Sequence, residues 1–338
     1  VWLFSATMVP VLYQLPRSRF ASTLADQLSP SFWRGITVYD LLLPMFLFVS
    51  GASIVPAFKK HKAAGRTNRQ SAWRLVRRLV LLFGIGILCE RALFQHWPCW
   101  RFAGAFQRIA VCYAVVAALN LRTDSPFQVG VLAFLLADYC AILAFGSNGA
   151  GGAYSFEGNA AANVDQLLLP GCKYFGTWDS QGLLTTLPAI AVTLAGLLAG
   201  KALTAAGASP TLRTFSLLGV GIVAVNAGIL GDALVPINPY LWTLPFCLVA
   251  IGAGSVLLGA LYAVLDVRQK SDWATPVSAL GRNSLLVVLA TLALSNAADW
   301  IARLALPRAH FPAWSLIIVL VVWMMALFLD RHKLFITV

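Results

Sequence analysis

The sequence predicts an all-α polytopic membrane protein, a bundle of about ten transmembrane helices. Three observations carry that expectation. Of 338 residues, 59% are hydrophobic and only 11% are charged, against roughly a quarter charged in soluble domains. The mean hydropathy is +0.77. The apolar residues fall in long unbroken runs, not in the ten-residue alternation of a membrane barrel. One water-solvated core cannot hold that much apolar surface, so the composition excludes a disordered chain and argues against a soluble enzyme.

Spans are expected near 1–15, 39–58, 76–94, 104–121, 127–146, 182–203, 213–233, 241–266, 277–298 and 313–330. The chain opens at Val1 inside an apolar run without an initiator Met, so the first span is expected to be truncated. No internal repeat stands out, and residues 1–338 are expected to form one transmembrane domain.

The net charge of +12 comes from 25 Lys and Arg against 13 Asp and Glu. In a membrane protein this excess belongs to cytoplasmic loops, so no nucleic-acid partner is expected. Segment 57–78 carries Lys59, Lys60, Lys62, Arg66, Arg69, Arg74, Arg77 and Arg78 without an acid. It is assigned to the cytoplasm together with the C-terminal Arg331-His332-Lys333, as in a protein of the bacterial inner membrane. Loops 16–38, 95–103, 147–181, 234–240 and 299–312 then lie outside.

None of the six cysteines forms a CxxC pair, and the four histidines lack metal-ligand spacing, so no metal site is expected. Cys99 and Cys172 fall in outer loops, where they either pair or remain free.

Ionisable groups in or beside membrane spans are costly and mark candidate sites. Asp40 opens the second span, as a helix cap or a functional acid. Glu90 and Arg91 end the third, as candidate groups or simply as solvated residues. Gln107 and Arg108 lie one turn into the fourth, where the arginine either snorkels or binds a carboxylate or phosphate. Asp179 sits in the longest outer loop. His96 and His310 lie in outer loops as general-base candidates or as solvated residues.

Five segments together resemble the heparan-α-glucosaminide N-acetyltransferase family. They are Trp33-Arg34-Gly35-Ile36-Thr37-Val38-Tyr39-Asp40-Leu41 running on to Pro44, Phe46, Phe48 and Gly51; Gln107-Arg108-Ile109-Ala110; Trp178-Asp179-Ser180-Gln181-Gly182-Leu183-Leu184; Pro236-Ile237-Asn238-Pro239-Tyr240-Leu241-Trp242-Thr243; and Gly281-Arg282-Asn283-Ser284-Leu285. The resemblance implies transfer of an acetyl group from cytoplasmic acetyl-CoA, whose phosphates sit near basic inner loops. The acceptor is a sugar or another amine or hydroxyl on the opposite face. The resemblance assigns Arg108, Gln107, Asn238, Asn283 and Trp33 to substrate or cofactor binding.

The chain departs from the family pattern at three positions. Pro30 stands where the family has its active-site His, Pro239 where it has Lys, and Gln181 where it has an acid. The base must then be another group, with His96 first and Asp40 or Asp179 next. Two alternatives stay open. One is a non-catalytic member that serves as a structural subunit, through membrane-protein partners or homo-oligomer contacts, or that binds lipid or glycan. The other is a small-molecule transporter.

Overall fold

A computed structural model describes residues 19–65, 67–92, 99–147, 152–270, 272–305 and 312–334. The expected span 1–15 lies outside them. Every regular element described is helical: α1 Arg19–Leu28, α2 Leu42–Ala63, α3 Asn68–Ala92, α4 Ala105–Arg122, α5 Ser125–Phe145, α6 Ala160–Leu168, α7 Thr186–Leu203, α8 Pro210–Gly231, α9 Leu244–Tyr262, α10 Thr275–Arg282, α11 Ser284–Ala305 and α12 Pro312–Arg331. Among the described residues six helices are long and apolar enough to cross a membrane, or seven if α10 and α11 count as one broken span. The chain is an all-α, integral membrane protein.

Local chemistry sets the helix ends. Asp124 accepts the Phe127 N–H at the start of α5, Asn159 accepts that of Ala162 at α6, and Ser209 accepts that of Leu212 at α8. Pro126 and Pro210 occupy the first turns of α5 and α8, where their missing N–H costs nothing. Buried hydroxyls within spans return to the preceding turn: Thr193 donates to the Ala189 carbonyl and Ser255 to that of Ile251.

The chain divides into two compact units. The larger holds residues 32–36 and 43–268, and so α2 to α9 apart from Leu42. Its helices meet where glycines replace side chains. A methyl group on Gly51 would collide with the Thr193 carbonyl, and one on Gly196 with the Phe48 carbonyl, so α2 and α7 touch backbone to backbone. Gly221 and Gly252 do the same for α8 and α9. The apolar core between α2, α4 and α7 is built from Ile54, Val55, Val116, Leu194 and Leu197. Outward-facing Val220, Val223, Ile229 and Leu230 on α8 are exposed, as side chains against lipid would be.

The smaller unit contains α1, residues 37–42 and α10 to α12. The uninterrupted span expected at 277–298 is corrected here: α10 and α11 meet at 80°. Asn283 causes the break. It leaves helical geometry with φ −113° and ψ 33°, its N–H bonds the Gly281 carbonyl, and its own carbonyl receives Val287 N–H to start α11. Arg282 reaches Asp330 on α12 at 2.6 Å.

Candidate functional site

In the larger unit, the loop from 171 to 185 is held by buried polar groups. Arg101 donates through Nε and Nη2 to the two Asp179 oxygens at 2.7 and 2.8 Å, and through Nη1 to Glu90 at 2.9 Å. All three side chains are buried. Burial alone lowers the Arg101 pKa, but its hydrogen bonds and proximity to Asp179 and Glu90 outweigh that and leave it raised. Of the two alternatives for Glu90, the solvated one is overturned. Asp179, 0% exposed, also accepts the N–H groups of Tyr174 and Gln181, so its carboxylate receives four hydrogen bonds.

Asp165 continues the arrangement. Its two oxygens accept the N–H groups of Asp179 and Leu183. Burial pushes its carboxyl pKa up, and those two N–H bonds offset part of the rise. The Leu183 N–H and the Gly182 carbonyl are committed to side chains, while the Thr186 and Leu187 N–H groups reach back three residues to the Leu183 and Leu184 carbonyls, so α7 begins at Thr186 and not at the expected 182.

The segment carrying Arg101 is fixed from outside. Cys99 and Cys172 form a disulfide with Cα atoms 5.6 Å apart. Gly171 pairs with Arg101 in an isolated antiparallel bridge, and Cys172 N–H donates to the Trp100 carbonyl at 2.9 Å.

Arg108, on α4, is 2% exposed. Its Nη2 serves three acceptors: the carbonyls of Ser180 at 3.1 Å and Gly182 at 3.4 Å, and the Thr185 hydroxyl at 2.5 Å. The guanidinium lies over the Trp242 ring, 5.0 Å from its centroid. Nε and Nη1 have no partner. A guanidinium carries five N–H bonds, so three of them remain unspent. Beside it, the Gln107 amide is wedged between the backbones of Gly86 and Gly104, close to Glu90, with both its polar atoms unpartnered.

A tight turn supports the Trp242 side of this group. Asn238 Oδ1 accepts the N–H groups of Tyr240 and Leu241, and its Nδ2 is unpartnered. Thr243 donates to the Pro236 carbonyl, and Tyr139 donates to that of Leu241. Trp242 adopts φ +53° and Trp33 φ +127°. Such backbone in a bulky residue is strained and persists only where the surroundings impose it. Trp33 is held by its indole N–H on the Tyr154 carbonyl and by stacking against Tyr240, while Trp178 meets it edge-on.

The structure thus brings Arg108 and Asp179 to one turn, leaves Gln107 between Gly86 and Gly104 on the Glu90 side, and places Trp33 against the Asn238 turn. Asp40 and Asn283 belong to the smaller unit. Asp40 accepts from Ser31 N–H and from the N–H and hydroxyl of Thr37, closing the turn before α2. His96 and His310 lie outside the described residues. Sequence reasoning missed Arg101. Its available signal was position: a lone cation two residues after Cys99 in an otherwise uncharged stretch. Among the described residues no three His, Cys, Asp or Glu side chains group as metal ligands would.

No protein-family model matches the chain. It is 27% identical over 313 residues to "Heparan-alpha-glucosaminide N-acetyltransferase" of Homo sapiens, covering 75% of this chain and 47% of that protein. It is 26% identical over 338 residues to the Mus musculus protein of the same name, covering 83% and 51%. The chain spans about half the length of the curated relatives it matches. With its membrane-spanning helices, this makes the chain a distant relative of the heparan-α-glucosaminide N-acetyltransferases.

Proposed function

We propose that the chain is a membrane acyltransferase that moves an acetyl or other acyl group from cytoplasmic acyl-CoA to an acceptor on the opposite face, a sugar amine or hydroxyl. The observation that carries this reading is Arg108, a cation inside a membrane bundle with three N–H bonds unspent and no ion pair. Such a group is expensive in lipid unless it serves a polar ligand. Within the larger unit, Arg108, Gln107, Asn238 and Trp33 hold substrate or acetyl-CoA. The acceptor nitrogen attacks the thioester carbonyl, the C–S bond breaks, and the thiolate leaves with CoA. A base takes the acceptor proton. His96 is the first candidate for that role; the Asp40 carboxylate already accepts from Ser31 and Thr37. Asp179, with four donors on its carboxylate, instead anchors the turn that meets Arg108.

Orientation follows from two independent features. The acid-free basic segment 57–78 suits a cytoplasmic face. The Cys99–Cys172 disulfide suits an oxidising compartment. Together they fit an inner-membrane protein of a bacterium with the C-terminus inside.

The test is acetyl transfer from acetyl-CoA to glucosamine by the purified chain in lipid nanodiscs, followed by mass spectrometry of the product and by thiol release. Transfer that falls at least tenfold in Arg108→Gln and is abolished in His96→Ala supports the reading. A second reading, a non-catalytic member acting as a subunit or binding protein, is favoured by the exposed Pro30 at the position of the family's His. Binding of acetyl-CoA without any turnover selects it.

A further inference from the structure

The corner between α2 and α3 carries a separate feature. From Lys59 to Arg78 there are eight Lys and Arg residues and no acid. Among the described residues ion pairs join only Arg101 to Glu90 and Asp179, and Arg282 to Asp330, so none of the described cations at this corner has a carboxylate partner. Arg78 is occupied, lying 4.3 Å from the centroid of the Tyr113 ring. Lys59, Lys60, Lys62, Arg69, Arg74 and Arg77 are exposed. Thr67 and Gln70 cap α3 reciprocally, with Gln70 accepting the Thr67 N–H at 3.2 Å and Thr67 accepting the Gln70 N–H at 3.3 Å. On this fixed first turn a cavity of about 460 Å³ opens, lined by Arg69, Gln70, Trp73 and Arg74.

The exposed face of α3 sets the depth of that cavity. Trp73 is 69% exposed, and Val76, Val80 and Leu88 continue the exposed apolar stripe along the same helix. In a membrane protein such a stripe lies against acyl chains. α3 is not among the described helices long and apolar enough to cross a membrane, and its uncharged run Leu79–Cys89 covers about 15 Å. Arg77 and Arg78 close that run on the basic side, so Trp73, about 6 Å from Arg77 along the axis, lies at the interface where tryptophan is enriched, and Arg69 about 6 Å further out.

We propose that this cavity binds the phosphodiester headgroup of an anionic phospholipid, with Arg69 and Arg74 on the phosphate and Trp73 at the glycerol level. Two guanidinium groups suit a phosphate oxygen set better than ammonium groups would. A basic cluster directly beside a membrane helix is drawn to anionic lipid. The site is independent of acyl transfer and stands or falls without it.

Bromolipid quenching of tryptophan fluorescence tests it, with the full chain in nanodiscs containing brominated phosphatidylglycerol or brominated phosphatidylcholine at equal mole fraction. The Trp73 signal is the difference between the wild type and Trp73→Phe. It is quenched more strongly by the anionic lipid. Arg69→Gln/Arg74→Gln, with unchanged helical circular dichroism, lowers that preference on the order of tenfold, each surface cation being worth roughly fivefold. Equal quenching of wild-type Trp73 by both lipids overturns the proposal, and so does a preference that survives in the folded double variant. Relief of the quenching by adenosine 3′,5′-bisphosphate overturns it too and gives the cavity to a soluble nucleotide phosphate. The wild-type comparison decides even if the double variant does not fold.

Discussion

Arg101 grips Asp179 through two parallel hydrogen bonds of 2.7 and 2.8 Å across 78 residues of sequence, with both side chains buried. The pair joins the segment after α3 to the turn that supplies the Ser180 and Gly182 carbonyls to Arg108. The position of Arg108, a buried cation with unspent donors, therefore depends on Arg101, a second buried cation whose three nitrogens all bond carboxylates.

Breaking this pair from one side leaves an uncompensated buried charge. Arg101→Gln or Asp179→Asn alone is expected to destabilise the protein by about 3–5 kcal/mol, and Arg101→Leu/Asp179→Leu, which still leaves Glu90 unpaired, by less than the sum of the two. Detergent-solubilised unfolding of the two single variants and the double variant measures this. Additive losses would show that the two groups act separately.

The Cys99–Cys172 disulfide closes a sequence separation of 73 residues. Chain-entropy arguments assign such a loop about 4 kcal/mol. Treatment with a dithiol, or Cys99→Ser, is expected to lower the melting temperature and to release the 99–104 segment to proteolysis. Peptide mapping without reductant should recover the linked pair; free thiols at both positions would refute the assignment.

Asp165 is buried, and its pKa is raised in the fold. A carboxyl shifted upward contributes stability below the ordinary aspartate value near 4 and loses it as pH rises through the raised value. The stability advantage of the wild type over Asp165→Asn is therefore expected to shrink between pH 4 and pH 7. A difference that stays flat across that range would contradict the burial of this group.

Gly196 faces the Phe48 carbonyl with no room for a methyl group. Gly196→Ala is expected to cost roughly 1–3 kcal/mol by forcing α2 from α7. Gly219→Ala, where the added methyl meets nothing within 4 Å, serves as the control and should be neutral or slightly stabilising.

Much of the fold was legible because bilayer-length apolar runs need no partner to reveal themselves. The starts of α5 and α8 could be read from Asp124-Ser125-Pro126 and Ser209-Pro210. The α10–α11 break was not. Asn283 lies between two stretches that each favour helix, and only the bonds it makes on either side show that the chain turns there. At the site, Arg108 and Gln107 stood out as polar groups in a greasy run. Arg101 and Asp165 did not, since the sequence puts both in outer loops, where a charge is ordinarily solvated, whereas the structure puts Asp165 on the short helix α6. Their burial comes from the disulfide and from a loop folded back on itself, which pair residues 14 to 78 positions apart. Contacts of that separation leave no periodic trace.

The central claim is that the unspent donors of Arg108 serve acyl transfer. Its most direct test is turnover of acetyl-CoA with glucosamine in nanodiscs by the wild type, Arg108→Lys and Arg108→Gln, each checked for the intact disulfide. The account predicts N-acetylated product from the wild type, partial activity from the lysine variant and at least a tenfold loss in the glutamine variant. Equal turnover by all three proteins would contradict it.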